Sequence, residues 1–392
     1  MDAISPSSSA TPARRRFRWV PLLALVPLGV LTFVASRPPL VNAPAFESVK
    51  RSQVVLSEPY LIDRIYKSMM GPWATQQVQL GDVEADELLW ITGFSAQMMA
   101  ADGETPLSQD FMCHSNLDLD TEIHQMLHGP NPSFNPRLFT LSQGQYAVDF
   151  PPGFGIPLRS VESLGLTTQV LNLNHEAPHV EVRHRIGLDY VRDVEAPEPM
   201  VPLFPVAAFG LALLEGDDGY FGIEEPMAEK HGPGCMVGTA ASDHSYKDPQ
   251  GRSFSGHWQV PPGRQVNRTL VTELMRIPYA TTIHFIAVHL HPFAERLILR
   301  NLTTGEVVFE SRATNHDDRI GLRHVEEFSS ADGLAIDPEH EFELESVYVN
   351  PTDDMQDSMA VMYIYLRDLE MEKRLANRRS SPPTVGLGVA GG

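Results

Sequence analysis

The sequence predicts an all-β protein built as two antiparallel β-sandwich, jelly-roll-like domains behind an N-terminal hydrophobic leader. Three observations predict it. Short apolar runs rich in β-branched and aromatic residues recur along the chain, each about strand length and bounded by Gly, Pro, Asn or Asp. No stretch between them sustains a 3.6-residue apolar period over the length of a core helix. The 392 residues, 42% of them hydrophobic, exceed one average domain and can bury two cores.

Residues 1–43 read as leader and linker. The basic "ARRRFR" precedes an apolar run from Trp19 to Ala35, the layout of a positively charged segment followed by a hydrophobic one, so transfer across a membrane is expected. Phe33 and Pro44 spoil the small-residue cleavage sites after Ala35 and Ala43. The leader is therefore expected to stay on as a membrane anchor with its basic end inside and the domains on the periplasmic or extracellular side; cleavage would make the protein secreted instead. "SRPPLVNAPAF" then reads as an extended tether.

A first sandwich is expected over residues 44–200, where "LLWITGFSAQM", "YAVDFPPGFGIPL", "TTQVLNLN" and "VEVRHRIGLDYV" are strand-length runs. The proline-rich "VEAPEPMVPLFP" at 194–205 is the natural boundary, because few packed contacts cross such segments. A second sandwich is expected over 201–371, beginning with a long insertion up to about residue 253 and continuing through "TTIHFIAVHLHPFAERLILRN", "GEVVFES", "HEFELESVYVN" and "SMAVMYIYLRDLE". The polar run 372–392 reads as a disordered tail.

Fifty acidic residues against thirty basic ones give a net charge of −20, which repels phosphate backbones and excludes nucleic acid as a partner. The two cysteines, Cys113 and Cys235, allow either one bridge or free thiols.

The chemistry lies in the histidines. In "IHFIAVHLHPFAERL", residues 283–297, strand geometry projects His289 and His291 on one face and His284 on the other. A same-face pair can grip one metal ion or form a polar stripe on an exposed sheet. His124 and His128 in "TEIHQMLHG" stand one helical turn apart, but without a carboxylate motif beside them they read as surface or helix-end residues. His175, His179 and His184 form no standard zinc spacing.

The ordered set "WQVPPGRQ", "VHLHPF", "LILRN" and "DSMAVMYIYL", spanning His257 to Leu366, resembles the C-terminal domain of the copper type II, ascorbate-dependent monooxygenases. Peptidylglycine α-hydroxylating monooxygenase and dopamine β-monooxygenase belong to that family. The resemblance implies that His289, His291 and Met359 hold a copper ion that binds O2, and that Tyr363 lines the substrate pocket. Two imidazoles and a thioether also suit copper(I) on chemical grounds alone. Met355, Met359 and Met362 share one apolar run, where methionine equally serves as a core filler.

In the first domain "FMCHSNLDL" falls where the family has a His-His pair, and "FPPGFGIPL" followed by "VLNLNHE" where it has a third histidine. Cys113 and His114 stand in for the pair and Asn174 for the third ligand. Three readings stay open: Cys113 as thiolate with His114 and His175 forms a softer site, a one-residue shift makes His175 the ligand, or Cys113 is a buried or disulfide-bonded residue. Ala287 stands where the peptide-hydroxylating branch places a carboxylate-binding arginine, and Val361 where it places an asparagine, so a substrate other than a glycine-extended peptide is expected. The implied activity is hydroxylation of a C–H bond of a small or peptide-like molecule, with O2 and ascorbate or another reductant. A non-catalytic copper-binding protein on the same scaffold is the alternative.

Overall fold

The computed structural model describes residues 43–176, 178–214, 245–248 and 250–380. The expected anchor, Cys235 and the last residues of the tail lie outside that range. Among the described residues no helix is long and apolar enough to cross a membrane.

The architecture is all-β, in layered sheets. In the N-terminal half the strands Leu88–Ala100 and Val180–Arg192, 13 residues each, pair antiparallel from Leu89↔Arg192 to Ala100↔Val182 with one bulge at Asp189/Tyr190. Val182, His184, Ile186 and Leu188 are buried while their alternates face outward, the two-residue period of a half-buried strand. The facing sheet takes the order Trp73–Gln79, Ser163–Val170, Met112–Leu119 and Arg137–Ser142. Phe94 of one sheet stacks on Phe139 of the other with ring centres 5.2 Å apart.

In the C-terminal half, Val201–Phe209, Ala360–Arg367, Thr281–Leu290 and Phe328–Ile336 form one layer. Gly263–Leu270, Phe342–Asn350, Ala294–Asn301, Val307–Asn315 and Leu322–Val325 form the other. Thr281–Leu290 is buried on both faces, which is why it reads as a nearly continuous apolar run.

The proline-rich stretch offered as a boundary ends inside a core strand rather than in a linker. Val201–Phe209 is buried along almost its whole length, and Val201↔Phe154 and Pro202↔Gly155 pair in parallel, joining strands of both halves into one ten-stranded sheet. Pro205 has no N–H to give, but its carbonyl accepts the Asn135 amide at 2.9 Å. Tyr365 sits at this junction: its hydroxyl donates to the Leu138 carbonyl at 2.8 Å and its ring packs against Phe139, Phe150 and Phe285. The face of Ala360–Arg367 that carries Tyr365 is thereby pressed onto the Arg137–Ser142 strand.

The expected disordered tail is corrected over its first part, because Leu369–Ser380 is a helix. Met371 and Leu375, one turn apart, insert into a small core made by Phe46, Trp90, Val191 and Met200. Two apolar residues were enough to dock a stretch whose composition is polar. Asp368 accepts the Met371 amide at 2.9 Å and so caps the first turn. Leu375→Ala is expected to lower stability by about 2 kcal/mol, seen as a reduced urea midpoint at unchanged slope.

Candidate metal centre

The strand Thr281–Leu290 runs antiparallel to Ala360–Arg367, and its last pairs are His289↔Val361 and Leu290↔Ala360. His289 and His291 are each 7% exposed, their rings 5.2 Å apart and nearly perpendicular. The chain then turns sharply: Phe293 adopts φ 71, and its amide is held by Asn315 Oδ1 at 2.7 Å. One step beyond the Leu290↔Ala360 pair, Met359 comes opposite His291. The Tyr348 hydroxyl ties the two, accepting the His291 amide at 3.3 Å and donating to the Met359 carbonyl at 2.5 Å. The backbones of His289, His291 and Met359 therefore come together at one strand end. Met359 packs partly buried against the core, while Met355 lies in the wall of the adjoining cavity.

Two further groups join them. The short strands Trp258–Val260 and Gln356–Ser358 pair with Gln259 opposite Asp357, and this brings His257 and Asp357 to His291. Asp357 Oδ2 is 3.1 Å from His291 Nδ1, Asp357 Oδ1 is 3.8 Å from His257 Nδ1, and the two rings are 5.5 Å apart. One donor atom from each of the three lies within 4.8 Å of the others, so the group could hold a metal ion. His291 Nδ1 is buried and makes no hydrogen bond, the carboxylate lying close but out of line. A cation between them would satisfy that nitrogen. Burial opposes ionisation of Asp357, but the neighbouring His257 and His291 outweigh it and hold the carboxyl well below its usual range.

His114 reaches the same place from the N-terminal half. It pairs with Ser142 across Met112–Leu119 and Arg137–Ser142, and Ser142 Oγ lies 2.9 Å from His289 Nδ1. Burial, then the charges of Arg137 and the surrounding histidines, pushes the His114 imidazole down to about 3. His289 is driven well below its ordinary range by burial and by His291, His114 and His257. Both rings are therefore neutral at physiological pH, the form that binds metals.

Cys113 lies in the wall of the same cavity, buried and unpaired among the described residues. Burial pushes its thiol up to about 11, so without a metal it is a thiol and not the thiolate of the softer site. His175 is elsewhere: its backbone is clasped by the Asn172 amide and its ring lies 5.8 Å from Phe111, in a neighbouring open depression with Asn174 and Arg319. Asn174 spends its side chain on the backbone of Ile320, donating at 2.9 Å and accepting at 3.0 Å. Of the three N-terminal residues, Cys113 and His114 approach the His289–His291 pair and His175 does not.

Tyr363 is buried, opposite Ala287 and Ala207, on the face of its strand shared with Val361 but not in the cavity wall. His284 is held by Thr282 Oγ1 at 2.7 Å and the Ser330 carbonyl at 2.9 Å and lies against Phe154, a structural role.

The cavity beside the histidines measures about 270 Å³. Apolar Ile65, Leu171, Leu173 and Ile320 line it together with Lys67, Gln143 and Gln259.

A second cluster overturns the surface part of the reading of His124 and His128 as surface or helix-end residues, while His128 does end its helix. Both are buried on the helix Thr121–His128, rings stacked 4.4 Å apart, and each bonds one oxygen of Glu162 at 2.8 Å. The Arg159 amide donates to Glu162 Oε1 at 2.6 Å. Burial would raise this carboxyl, but the two imidazole hydrogen bonds outweigh it and hold it at about 2. The carboxylate stands 34 residues after His128, beyond the reach of any local motif.

No family model and no curated protein matches the chain. Among solved structures, the STIV MCP is similar over 83% of this chain and 99% of its own at 9% identity, with a TM-score of 0.30. PNGase F, a glycosylasparaginase from Flavobacterium meningosepticum, is similar over 81% of this chain and 96% of its own at 6% identity, with a TM-score of 0.33. Likenesses this distant bear on neither the site nor its chemistry.

Proposed function

We propose that the chain is an exported, anchored copper protein of monooxygenase type that hydroxylates a C–H bond of a small molecule with O2 and ascorbate or another reductant. One observation carries the reading: His114, His257, His289 and His291 converge with Asp357 beside a single cavity, with one buried imidazole nitrogen left unbonded. The donors fit copper, since imidazoles suit it in both oxidation states, Met355 lies in the cavity wall, and Met359, whose backbone is tied to His291 through Tyr348, is a second soft donor for copper(I). When bound, copper would supply one-electron chemistry toward O2.

The chain's own groups do the rest. Ser142 engages His289 Nδ1 and leaves Nε2 as the donor, Asp357 sets a negative charge beside His291 and His257, and Tyr348 fixes the backbone at His291. The apolar wall limits water around the substrate. Ala287 and Val361 place no charge of their own on the buried face, and Lys67 at the cavity wall is the group that would meet an anionic end of the substrate. His175 and Asn174 are engaged elsewhere, so a second electron would come directly from the reductant; this also favours a copper-binding protein without turnover as the second reading.

The test loads the full chain with copper in the presence of ascorbate. Copper at about one per chain is expected, with ascorbate-driven O2 uptake, and His289→Ala should weaken retention by more than the roughly 100-fold that removal of an outer-shell residue costs, and abolish uptake. Failure to retain copper rejects both readings. Retention without O2 uptake, across a panel of small C–H substrates, leaves the binding protein.

A further inference from the structure

We propose a second metal site, formed by His124, His128 and Glu162 and taking a borderline divalent cation, zinc(II) foremost. It lies on different elements from the centre described above. The two histidines point from one turn of the helix Thr121–His128 at a single carboxylate, which sits in the turn between Phe154–Arg159 and Ser163–Val170. One donor atom from each residue lies within 4.8 Å of the others, and all three residues are buried. Two imidazoles and one carboxylate are a zinc donor set.

Charge supports the assignment. Glu162 is 1% exposed, and among the described residues its oxygens meet the two imidazoles and the Arg159 amide, with no Lys or Arg side chain bonded to them. Arg378, the nearby guanidinium, donates to the Leu127 carbonyl instead. A buried carboxylate is stabilised by a cation, and a divalent ion held by these three residues would supply one. The hydrogen-bonded arrangement is also incompletely satisfied, since His128 Nδ1 is buried without a partner. The Arg159 amide would orient the ligating carboxylate from outside. Bound metal would staple the helix, which directly follows the strand carrying Cys113 and His114, to the opposite turn. Its role is structural.

The experiment uses the full chain carrying His289→Ala and His291→Ala, which disables the other centre, stripped with chelator and titrated with zinc(II). One equivalent is expected to bind and to raise the thermal midpoint. Adding Glu162→Gln, which keeps the shape and one acceptor oxygen, should weaken binding at least about tenfold and remove the rise. If that variant does not fold, cobalt(II) added to the Glu162-intact protein should give the visible absorption of a tetrahedral site, bleached by zinc. No zinc uptake, uptake indifferent to Glu162→Gln, or no cobalt spectrum where that variant does not fold overturns the site.

Discussion

Lowering the pH from 7 to 5 in the presence of chelator is expected to remove about 4 kcal/mol of stability through His184 and His284 alone. Both are buried. Burial pushes His184 down to about 3, and pushes His284 down to about 4 with the Ser330 carbonyl opposing. In the unfolded chain each titrates near the ordinary 6.5, so the unfolded state binds protons that the folded state refuses. Their contribution is whole above pH 6.5 and is lost as pH falls toward the folded values, at about 1.4 kcal/mol per pH unit for each group. By pH 5 each has lost about 2 kcal/mol. His114 and His289, pushed in the same direction, steepen the fall. Glu162 adds little until the pH passes below its ordinary 4.5. Against a total of roughly 5–15 kcal/mol, the loss brings the protein close to cooperative unfolding. Guanidinium denaturation at pH 7, 6 and 5 reads it directly. His184→Leu should flatten the dependence by about half of the two-group slope, and a stability flat across this range would refute the account.

The parts of this molecule legible in its sequence are those set by a local period. The alternation in Val180–Arg192 and the doubly buried run of Thr281–Leu290 announce strands, and a two-residue period suffices to put His289 and His291 on one face. What completes the centre is tertiary. His114 arrives because it pairs with Ser142, whose hydroxyl reaches His289 from another sheet, and Asp357 because a three-residue strand pairs with Trp258–Val260. Neither relation leaves a trace in spacing. The same limit hid the His124–His128–Glu162 cluster: the helical turn was visible, but the carboxylate that gives it meaning comes from a distant turn. Composition misled at Leu369–Ser380, where Met371 and Leu375 outweigh a mostly polar run, and at Val201–Phe209, where prolines occur within a buried strand.

His291→Ala is expected to weaken metal binding by about 1000-fold or more, beyond the 10–100-fold typical of an outer-shell residue. Two donor sets converge on this side chain. The strand-end trio is His289, His291 and Met359, the last two tied by their backbones through Tyr348; the compact trio is His257, His291 and Asp357. A soft thioether favours copper(I), whereas a carboxylate favours harder or borderline ions, so the remaining substitutions separate the two. With copper(I) in the first trio, Met359→Leu should weaken copper(I) while sparing zinc(II). Asp357→Asn, acting only by aligning His257 and His291, should cost about 10–100-fold. Competition against a copper(I) chelator measures both. The opposite pattern, in which Asp357→Asn is as damaging as His291→Ala while Met359→Leu leaves copper(I) affinity intact, would seat the ion on the carboxylate side. The unbonded His291 nitrogen would then face the metal beside Asp357, and the case for copper(I) chemistry would fall with Met359.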